Sequence, residues 1–218
     1  EHVGVADINL DGINDIILQI VDLIMLAAPY GVFALLAGLV VDFGASSSLF
    51  IALGKYSATV IVGLLLMILV VYPIILKLFT KIQYVDFFKG ISPAQMLAFS
   101  TSSSAATLPV TMERCEDHLG VSKEVSSFVL PLGATINMDG TSLYQAVGAV
   151  FIAQAYGIPL DLPAQLTIVL TATLASIGAA AVPGAGMVML VIVLGAIGVP
   201  AEGLAFFISA ITDTLSAI

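Results

Sequence analysis

Five consecutive residues, Asn137-Met138-Asp139-Gly140-Thr141, bring together groups that can bind a cation. Between Val125 and Ala201 the only other charged side chain is Asp161, so Asp139 lies within a long apolar stretch. A carboxylate inside a membrane is costly and normally faces a cavity, an ion or a polar partner. Oxygen ligands on a backbone that can leave helical geometry suit a hard cation. The motif therefore predicts a transport site.

The composition indicates which class of protein holds this motif. The 218 residues are 60% hydrophobic and 10% charged, with a mean hydropathy of +1.14. Uncharged runs exceed the roughly 20 residues that cross a hydrocarbon core, which predicts a multi-pass protein of the cell membrane with the lipid bilayer as its surroundings. The net charge of -9 argues against a nucleic-acid partner. The single Cys115 excludes a disulfide framework, and the start at Glu1 suggests part of a longer polypeptide.

The basic residues predict how the first apolar segments are threaded. The segment from about Tyr56 to Phe79 ends in lysines, which mark a cytoplasmic flank. The next segment, about Ile91 to Met112, is interrupted by the polar run Ser100 to Ser104 and is followed by Arg114 and Lys123. Because both flanks are basic, both ends are expected on the cytoplasmic side. A re-entrant hairpin with a serine-rich tip, buried in protein, satisfies this constraint.

A second re-entrant hairpin is predicted nearer the C-terminal end. The stretch from Leu162 to Ala201 is free of charge, but its flanks, Asp161 and Glu202, are both acidic. Glycines and a proline interrupt it between Ser176 and Gly186, leaving arms of about 15 residues, which are short for a full crossing. A plain helical pair with an external glycine-rich turn remains the alternative. Between the two hairpins, the segment from Val125 to Tyr156 is interrupted at the Asp139 motif.

Two opposed hairpins around a broken helix are typical of one class of membrane protein. We predict an all-α membrane protein, an inverted-repeat secondary transporter with two re-entrant helical hairpins and a broken helix. The serine tip would attract a carboxylate, and the glycine-proline tip would expose carbonyls to sodium and hinge a gate. Packing of small residues is the alternative for these serines and glycines. No enzyme is predicted, because His2 and His118 lie in polar stretches away from any nucleophile in the membrane.

Three motifs together resemble the sodium-coupled glutamate/aspartate transporters. This is the dicarboxylate/amino acid:cation symporter family, which includes the excitatory amino-acid transporters and their archaeal relatives. The motifs are Ser102 to Pro109, Asn137 to Thr141, and Ala175 to Gly186. Ala28 to Phe33 also looks like the family's fifth helix. In total the resemblance extends from about Gly12 to Ala210.

The resemblance implies a domain organisation. Residues 1–43 would form the helix 5 region on the scaffold side. Residues 44–218 would form the transport-domain core, with helix 6, hairpin 1, helix 7, hairpin 2 and part of helix 8. Family members are homotrimers in which each transport domain moves past a fixed scaffold.

The resemblance also implies roles for individual residues. An amino-acid substrate, aspartate or glutamate, would contact hairpin 1, the motif and hairpin 2 through Ser102, Ser103, Ser104, Thr141, Val182 and Gly186. Sodium (Na⁺) would bind at several sites through Gly133, Thr135, Asn137, Met138, Asp139, Ser176, Ile177, Ala179 and Asp213. Archaeal members have an arginine where this chain has Ser102. The arginine and aspartate of the family's helix 8 are not recognisable, so we hypothesise that most of that helix is missing and that Asp213 is its sodium-site carboxylate.

The function implied is sodium-driven symport of acidic amino acids by an elevator-type mechanism, with hairpin 2 as the gate. Thr141 is the residue type of acidic-substrate members, whereas neutral exchangers usually carry a smaller apolar residue there. Gln145 stands where the animal glutamate transporters have a glutamate linked to proton coupling. Since glutamine cannot titrate, obligatory proton or potassium coupling is not expected. The alternatives are a dicarboxylate or neutral amino acid symporter on the same fold, or an anion-conducting channel.

Overall fold

The structure, a computed structural model, describes residues 47–181 and 184–199 together with seven helical positions between 19 and 37. The chain divides into two compact units, Glu1–Ala45 and Ser46–Ile218. In the first unit the described residues are helical and exposed. Most of the predicted helix 5 region, and all residues beyond 199, lie outside the described residues. The assignment of the two parts to scaffold and transport domain stays a prediction.

The described part of the second unit is built from helices, with no strand within residues 47–181 and 184–199, so the all-α prediction is confirmed. A π-helical turn, Met67–Val71, joins the first two helices. The helices are α1 (Ser47–Leu66), α2 (Tyr72–Phe79), α3 (Tyr84–Thr101), α4 (Ser104–Asp117), α5 (Lys123–Ile136), α6 (Asp139–Ala155), α7 (Leu162–Ile177) and α8 (Ala185–Ala196).

The outer surface of these helices carries large apolar side chains. Phe79, Met96 and Phe128, from three different helices, are each more than 70% exposed, at 81%, 75% and 72%. Such a surface suits lipid better than water. Among the described residues, the stretch Ile51–Phe79 is long and apolar enough to cross a membrane, whereas Leu162–Ile177 and Ala185–Ala196 are apolar but shorter.

Two pairs of helices pack side by side, and each is joined by a short link. Helices α3 and α4 pack against each other and are joined through Ser102, which has a left-handed backbone with φ 52°, and Ser103. At the far end of this pair the Arg114 Nε–H donates to the Gly90 carbonyl at 2.7 Å. Helices α7 and α8 form the second pair, and its link includes Gly184, whose φ of 78° favours glycine. These are the two segments for which the sequence predicts re-entrant hairpins, and their orientation in a membrane stays a prediction.

The chain between α5 and α6 leaves helical geometry only at Asn137 and Met138. The interruption is thus shorter than the five-residue motif, because Asp139, Gly140 and Thr141 already form the first turn of α6. An acidic residue in a first helical turn is favourable, since the helix dipole is positive there. The break therefore sets Asp139 at a helix N-terminus.

Helix α6 lies at the centre of the described unit and packs against α1, α7 and α8. Its buried positions repeat at helical spacing, and three of the six are glycine or alanine: Tyr144, Gln145, Gly148, Ala149, Ile152 and Ala153. Small residues let helix backbones approach closely. At the neighbouring helix, a Cβ on Gly63 would lie 2.9 Å from the Leu143 Cδ2 atom, so a larger residue there would require the Leu143 side chain to shift. Close packing on several sides fixes the position of the N-terminus of α6.

Pro73 accounts for the π-helical turn between α1 and α2. The Tyr72 N–H donates to the Met67 carbonyl, five residues back, as in a π-helix. The next donor in this pattern would be Pro73, which has no N–H, so the Ile68 carbonyl lacks its helical partner. The Tyr84 hydroxyl from α3 donates to that carbonyl at 2.7 Å. A side chain from another helix therefore stabilises the turn.

We predict that Tyr84→Phe lowers the free energy of unfolding by about 1 kcal/mol, because the Ile68 carbonyl loses its partner. Phenylalanine keeps the ring contact with Phe88, at 5.6 Å between ring centroids, so the change isolates the hydroxyl. Thermal unfolding of the purified protein in detergent measures the effect. The matched control is Tyr156→Phe, at an exposed tyrosine whose hydroxyl has no hydrogen-bond partner among the described residues. Equal melting temperatures for both variants would contradict the prediction.

Candidate functional site

Three of the places where one helix ends and the next begins meet around one cavity of about 260 Å³. Ser102–Ser104 line it from the α3–α4 link, and Asn137–Thr141 line it from the α5–α6 break. Ala179–Ala181, Gly184 and Gly186 line it from the α7–α8 link. The rest of the lining comes from α1, the π turn, Tyr72, α3 and α6: Leu64, Met67, Ile68, Tyr72, Ala98 and Tyr144.

The helix ends give this cavity its electrostatic character. Helices α4, α6 and α8 begin at it, and their first N–H groups make those ends attractive to anions. Helices α3, α5 and α7 end beside it, and their last carbonyls are attractive to cations. One cavity thus offers backbone groups of both kinds.

Hydrogen bonds join the α3–α4 link to the α7–α8 link. The Ser103 side chain is 7% exposed and accepts a hydrogen bond from the Ala106 N–H at 3.2 Å, so it caps the start of α4. The same hydroxyl donates to the Ala181 carbonyl at 3.0 Å. The Ala105 N–H also donates to the Ala181 carbonyl, at 3.3 Å. The α7–α8 link therefore lies closed against the serine tip on this side of the cavity.

Asp139 presents a carboxylate to the cavity. Its Oδ2 atom accepts a hydrogen bond from the Tyr72 hydroxyl at 2.9 Å. The described residues contain no group of three or more His, Cys, Asp or Glu side chains that could hold a metal ion together. A cation at Asp139 would accordingly be held by one carboxylate and by neutral oxygen atoms. One negative charge with neutral ligands suits a monovalent cation.

Helix α6 also contacts the start of α8 directly. The fully buried Gln145 donates from Nε2 to the Gly186 carbonyl at 2.8 Å. A Cβ on Gly186 would overlap the Tyr144 hydroxyl and would lie 3.0 Å from the Thr141 Cγ2 atom. Only a residue without a side chain fits between α6 and α8 here.

Most of the residues that the sequence singles out as binding residues lie on this cavity. They are Ser102, Ser103, Ser104, Asn137, Met138, Asp139, Thr141, Ala179 and Gly186. Val182 and Asp213 lie outside the described residues.

Four of the predicted sodium ligands do not line the cavity. Gly133 lines a neighbouring cavity of about 370 Å³, which it shares with Ser104 and Asn137. The Thr135 hydroxyl donates to the Leu132 carbonyl at 3.0 Å, within its own helix. The buried Ser176 hydroxyl likewise donates to Thr173, at 2.8 Å, and Ile177 is 42% exposed. Gly133, Ser176 and Ile177 are predicted to bind sodium through their backbone carbonyls, and Thr135 through its hydroxyl.

Sequence reasoning does not find several residues of the site, including Tyr72, Tyr144 and Ala181. Tyr72 and Tyr144 line the cavity, and the Ala181 carbonyl accepts both hydrogen bonds of the closed link. The sequence does mark Tyr72, because it is a tyrosine that stands directly before a proline inside an apolar run. For Ala181 the sequence carries no signal, because every residue type has the same carbonyl.

The chain matches known proteins over nearly its whole length. The model of the sodium:dicarboxylate symporter family matches residues 8–216. Excitatory amino acid transporter 2 of Mus musculus is 45% identical over 197 residues, which is 90% of this chain and 34% of the relative. Excitatory amino acid transporter 1 of Homo sapiens is 44% identical over 199 residues, which is 91% of this chain and 37% of the relative. Excitatory amino acid transporter 4 of Rattus norvegicus is 45% identical over 199 residues, 91% of this chain and 36% of the relative.

The chain spans about a third of the length of these relatives, from 34% to 37%. The family and the relatives are transporters and not enzymes. The matched residues include all three helix interruptions that meet at the cavity. The resemblance that the motifs indicate is confirmed: the chain belongs to the sodium:dicarboxylate symporter family.

Proposed function

We propose that this protein is a multi-pass membrane symporter that uses sodium to drive uptake of an acidic amino acid, aspartate or glutamate. The observation that carries the proposal is the convergence of three helix interruptions on one cavity with the Asp139 carboxylate at its edge. The names of the relatives, excitatory amino acid transporters, support the same substrate class.

The charges around the cavity support coupling to a cation. Its described lining holds the carboxylate of Asp139 and no lysine or arginine. An acidic amino acid carries a net negative charge, so it would bring a second negative charge close to Asp139. In a site of low dielectric constant, two like charges repel strongly unless cations bind with them. Bound sodium would remove this repulsion, which makes substrate binding depend on sodium.

We assign the substrate to the helix N-termini. Ser103 and Ser104, at the start of α4, would bind the α-carboxylate, because N–H groups and a positive dipole end favour an anion. Thr141, in the first turn of α6, would contact the substrate side chain. Ser102, Val182 and Gly186 complete this proposed site.

Sodium would occupy several positions around the α5–α6 break. The side chains of Asn137 and Asp139 form one proposed site, and the carbonyls of Gly133 and Asn137 contribute to a second. Asp213 is proposed as the sodium-site carboxylate of helix 8. A third would use Thr135, the Met138 sulfur and three carbonyls at the end of α7, which belong to Ser176, Ile177 and Ala179. Oxygen ligands around one charge suit this ion.

The α7–α8 link would serve as the gate. Three hydrogen bonds support its closed position. Two are donated to the Ala181 carbonyl, by Ser103 and Ala105, and the third is donated by Gln145 to the Gly186 carbonyl. Opening would break these bonds and give substrate access, with Gly184 as a hinge. Residues 44–218 would then move as the transport core of a homotrimer past a scaffold that includes residues 1–43.

The proposal predicts that L-aspartate binds the intact protein only when sodium is present. Isothermal titration in sodium and in choline buffers measures this dependence. Succinate and L-alanine, titrated in parallel, distinguish a dicarboxylate and a neutral amino acid symporter from the proposed one. Aspartate binding of equal affinity in both buffers would contradict sodium coupling, and flux that persists without a sodium gradient would favour a channel.

We predict that Gly186→Ala abolishes closure of the gate, because the added Cβ would overlap the Tyr144 hydroxyl. Aspartate affinity in saturating sodium should fall by about 10-fold or more, because an open gate makes fewer contacts with the substrate and each ~1.4 kcal/mol of lost contact is tenfold in affinity. The matched control is Gly195→Ala in the same helix, where an added Cβ meets no atom within 4 Å. Wild-type affinity in the Gly186 variant would contradict this account of the gate.

We predict that wild-type uptake persists without a proton gradient and that Gln145→Glu makes it pH-dependent. Only a protonated glutamate can donate to the Gly186 carbonyl as Gln145 does, whereas a carboxylate would repel that oxygen. Uptake by the variant should therefore fall as pH rises, measured in proteoliposomes with a fixed sodium gradient. The control is Gln154→Glu, an exposed position of the same helix. Wild-type uptake that stops without a proton gradient, or a variant profile equal to that of the control, would contradict the prediction.

A further inference from the structure

Tyr72 contributes the single side-chain hydrogen bond that the structure shows for the Asp139 carboxylate within the described residues. Its hydroxyl donates to Asp139 Oδ2 at 2.9 Å, across 67 positions of sequence. Both side chains line the cavity. We propose that Tyr72 is a positioning residue for sodium binding, which holds the Asp139 carboxylate in the orientation that binds the ion. This inference rests on the proposed function, in which Asp139 is a sodium ligand.

The backbone around Tyr72 is organised to place this hydroxyl. A π-helical turn inserts one residue relative to an α-helix, so the residues after it are rotated by about 100° around the helix axis. Tyr72 is the first residue after that turn, and without the turn it would face another direction. The hydrogen bond from Tyr84 to the Ile68 carbonyl holds the turn from the adjacent helix. Pro73 and Tyr84 thus both stabilise the π-helical turn that orients Tyr72.

The phenol of Tyr72 is chemically suited to hold Asp139 while that carboxylate binds a cation. A carboxylate has about four lone-pair positions, and the phenol occupies one of them, so the remaining positions stay available to an ion. The phenol is also neutral and leaves the full negative charge on Asp139. A lysine or arginine in its place would compete with sodium for that charge. Hydrogen-bond donors to metal ligands orient those ligands, and their loss lowers metal affinity.

The test compares Tyr72→Phe with wild type in the intact protein. The ring is kept and only the hydroxyl is lost, so packing of the partly exposed side chain is preserved. We expect the sodium concentration for half-maximal aspartate binding to rise by about 3- to 10-fold. Sodium-induced thermal stabilisation without aspartate should shift to higher sodium by a similar factor. Aspartate binding capacity at saturating sodium should match that of wild type.

The matched control is Tyr56→Phe, a tyrosine of α1 that is 3% exposed and whose hydroxyl has no hydrogen-bond partner among the described residues. It loses the same atom from the same apolar segment and should keep the wild-type sodium dependence. A purely structural role of Tyr72 would lower the melting temperature equally at all sodium concentrations and leave the half-maximal concentration unchanged.

The outcomes separate this inference from the proposed function. Suppose that the wild-type protein responds to sodium and that Tyr72→Phe needs the same sodium concentration or a lower one. This result would overturn the role of Tyr72 and leave the proposed function standing. Wild-type protein with no response to sodium would overturn the proposed function, and this inference with it. A shift confined to Tyr72→Phe and absent from Tyr56→Phe is the result that supports it.

Discussion

The arrangement around the cavity depends on one constraint, which is that backbone groups at helix ends need partners inside a protein surrounded by lipid. Three helices end at the cavity and three begin there, so unpaired carbonyls and N–H groups are concentrated at one place. Some are satisfied within the chain, as where the Ser103 side chain caps α4. Helix N-termini suit anions and helix C-termini suit cations, so this arrangement supports the proposed binding of an acidic substrate together with sodium.

Helix α6 connects the proposed sodium ligand Asp139 to the proposed gate at the α7–α8 link. Its first turn holds Asp139 and Thr141, and its next turn holds the Tyr144 and Gln145 side chains that contact Gly186. A displacement at one of these places is transmitted through a single, closely packed helix. The contact at Gly186 is also sterically strict, because no side chain fits there. In the proposed mechanism, sodium binding at Asp139 and closure of the α7–α8 link would therefore influence each other over a few residues.

The interruptions of the helices could be predicted from the sequence because local residue types cause them. Hydroxyl residues around Ser102, a buried acid at Asp139 and glycines between Ser176 and Gly186 all disfavour a continuous apolar helix. The interruption at Asp139 is shorter than predicted, since an acid is favourable in a first helical turn. Pairing over long distances could not be predicted. Tyr72 and Asp139 are 67 positions apart, and their contact requires the extra residue of a π-helical turn. The ligand roles of Thr135 and Ser176 remain predictions, with both hydroxyls bonded within their own helices.

The hydrogen bond between the Ala105 N–H and the Ala181 carbonyl joins the two links through main-chain atoms alone. Side-chain substitution cannot delete such a bond, except that proline at position 105 would remove the donor. The two links can therefore differ in side-chain size and polarity, which alters what the cavity accepts, while the fastening between them persists. The bond from the Ser103 hydroxyl to the same carbonyl differs, because a change at Ser103 would alter both the fastening and a proposed substrate contact.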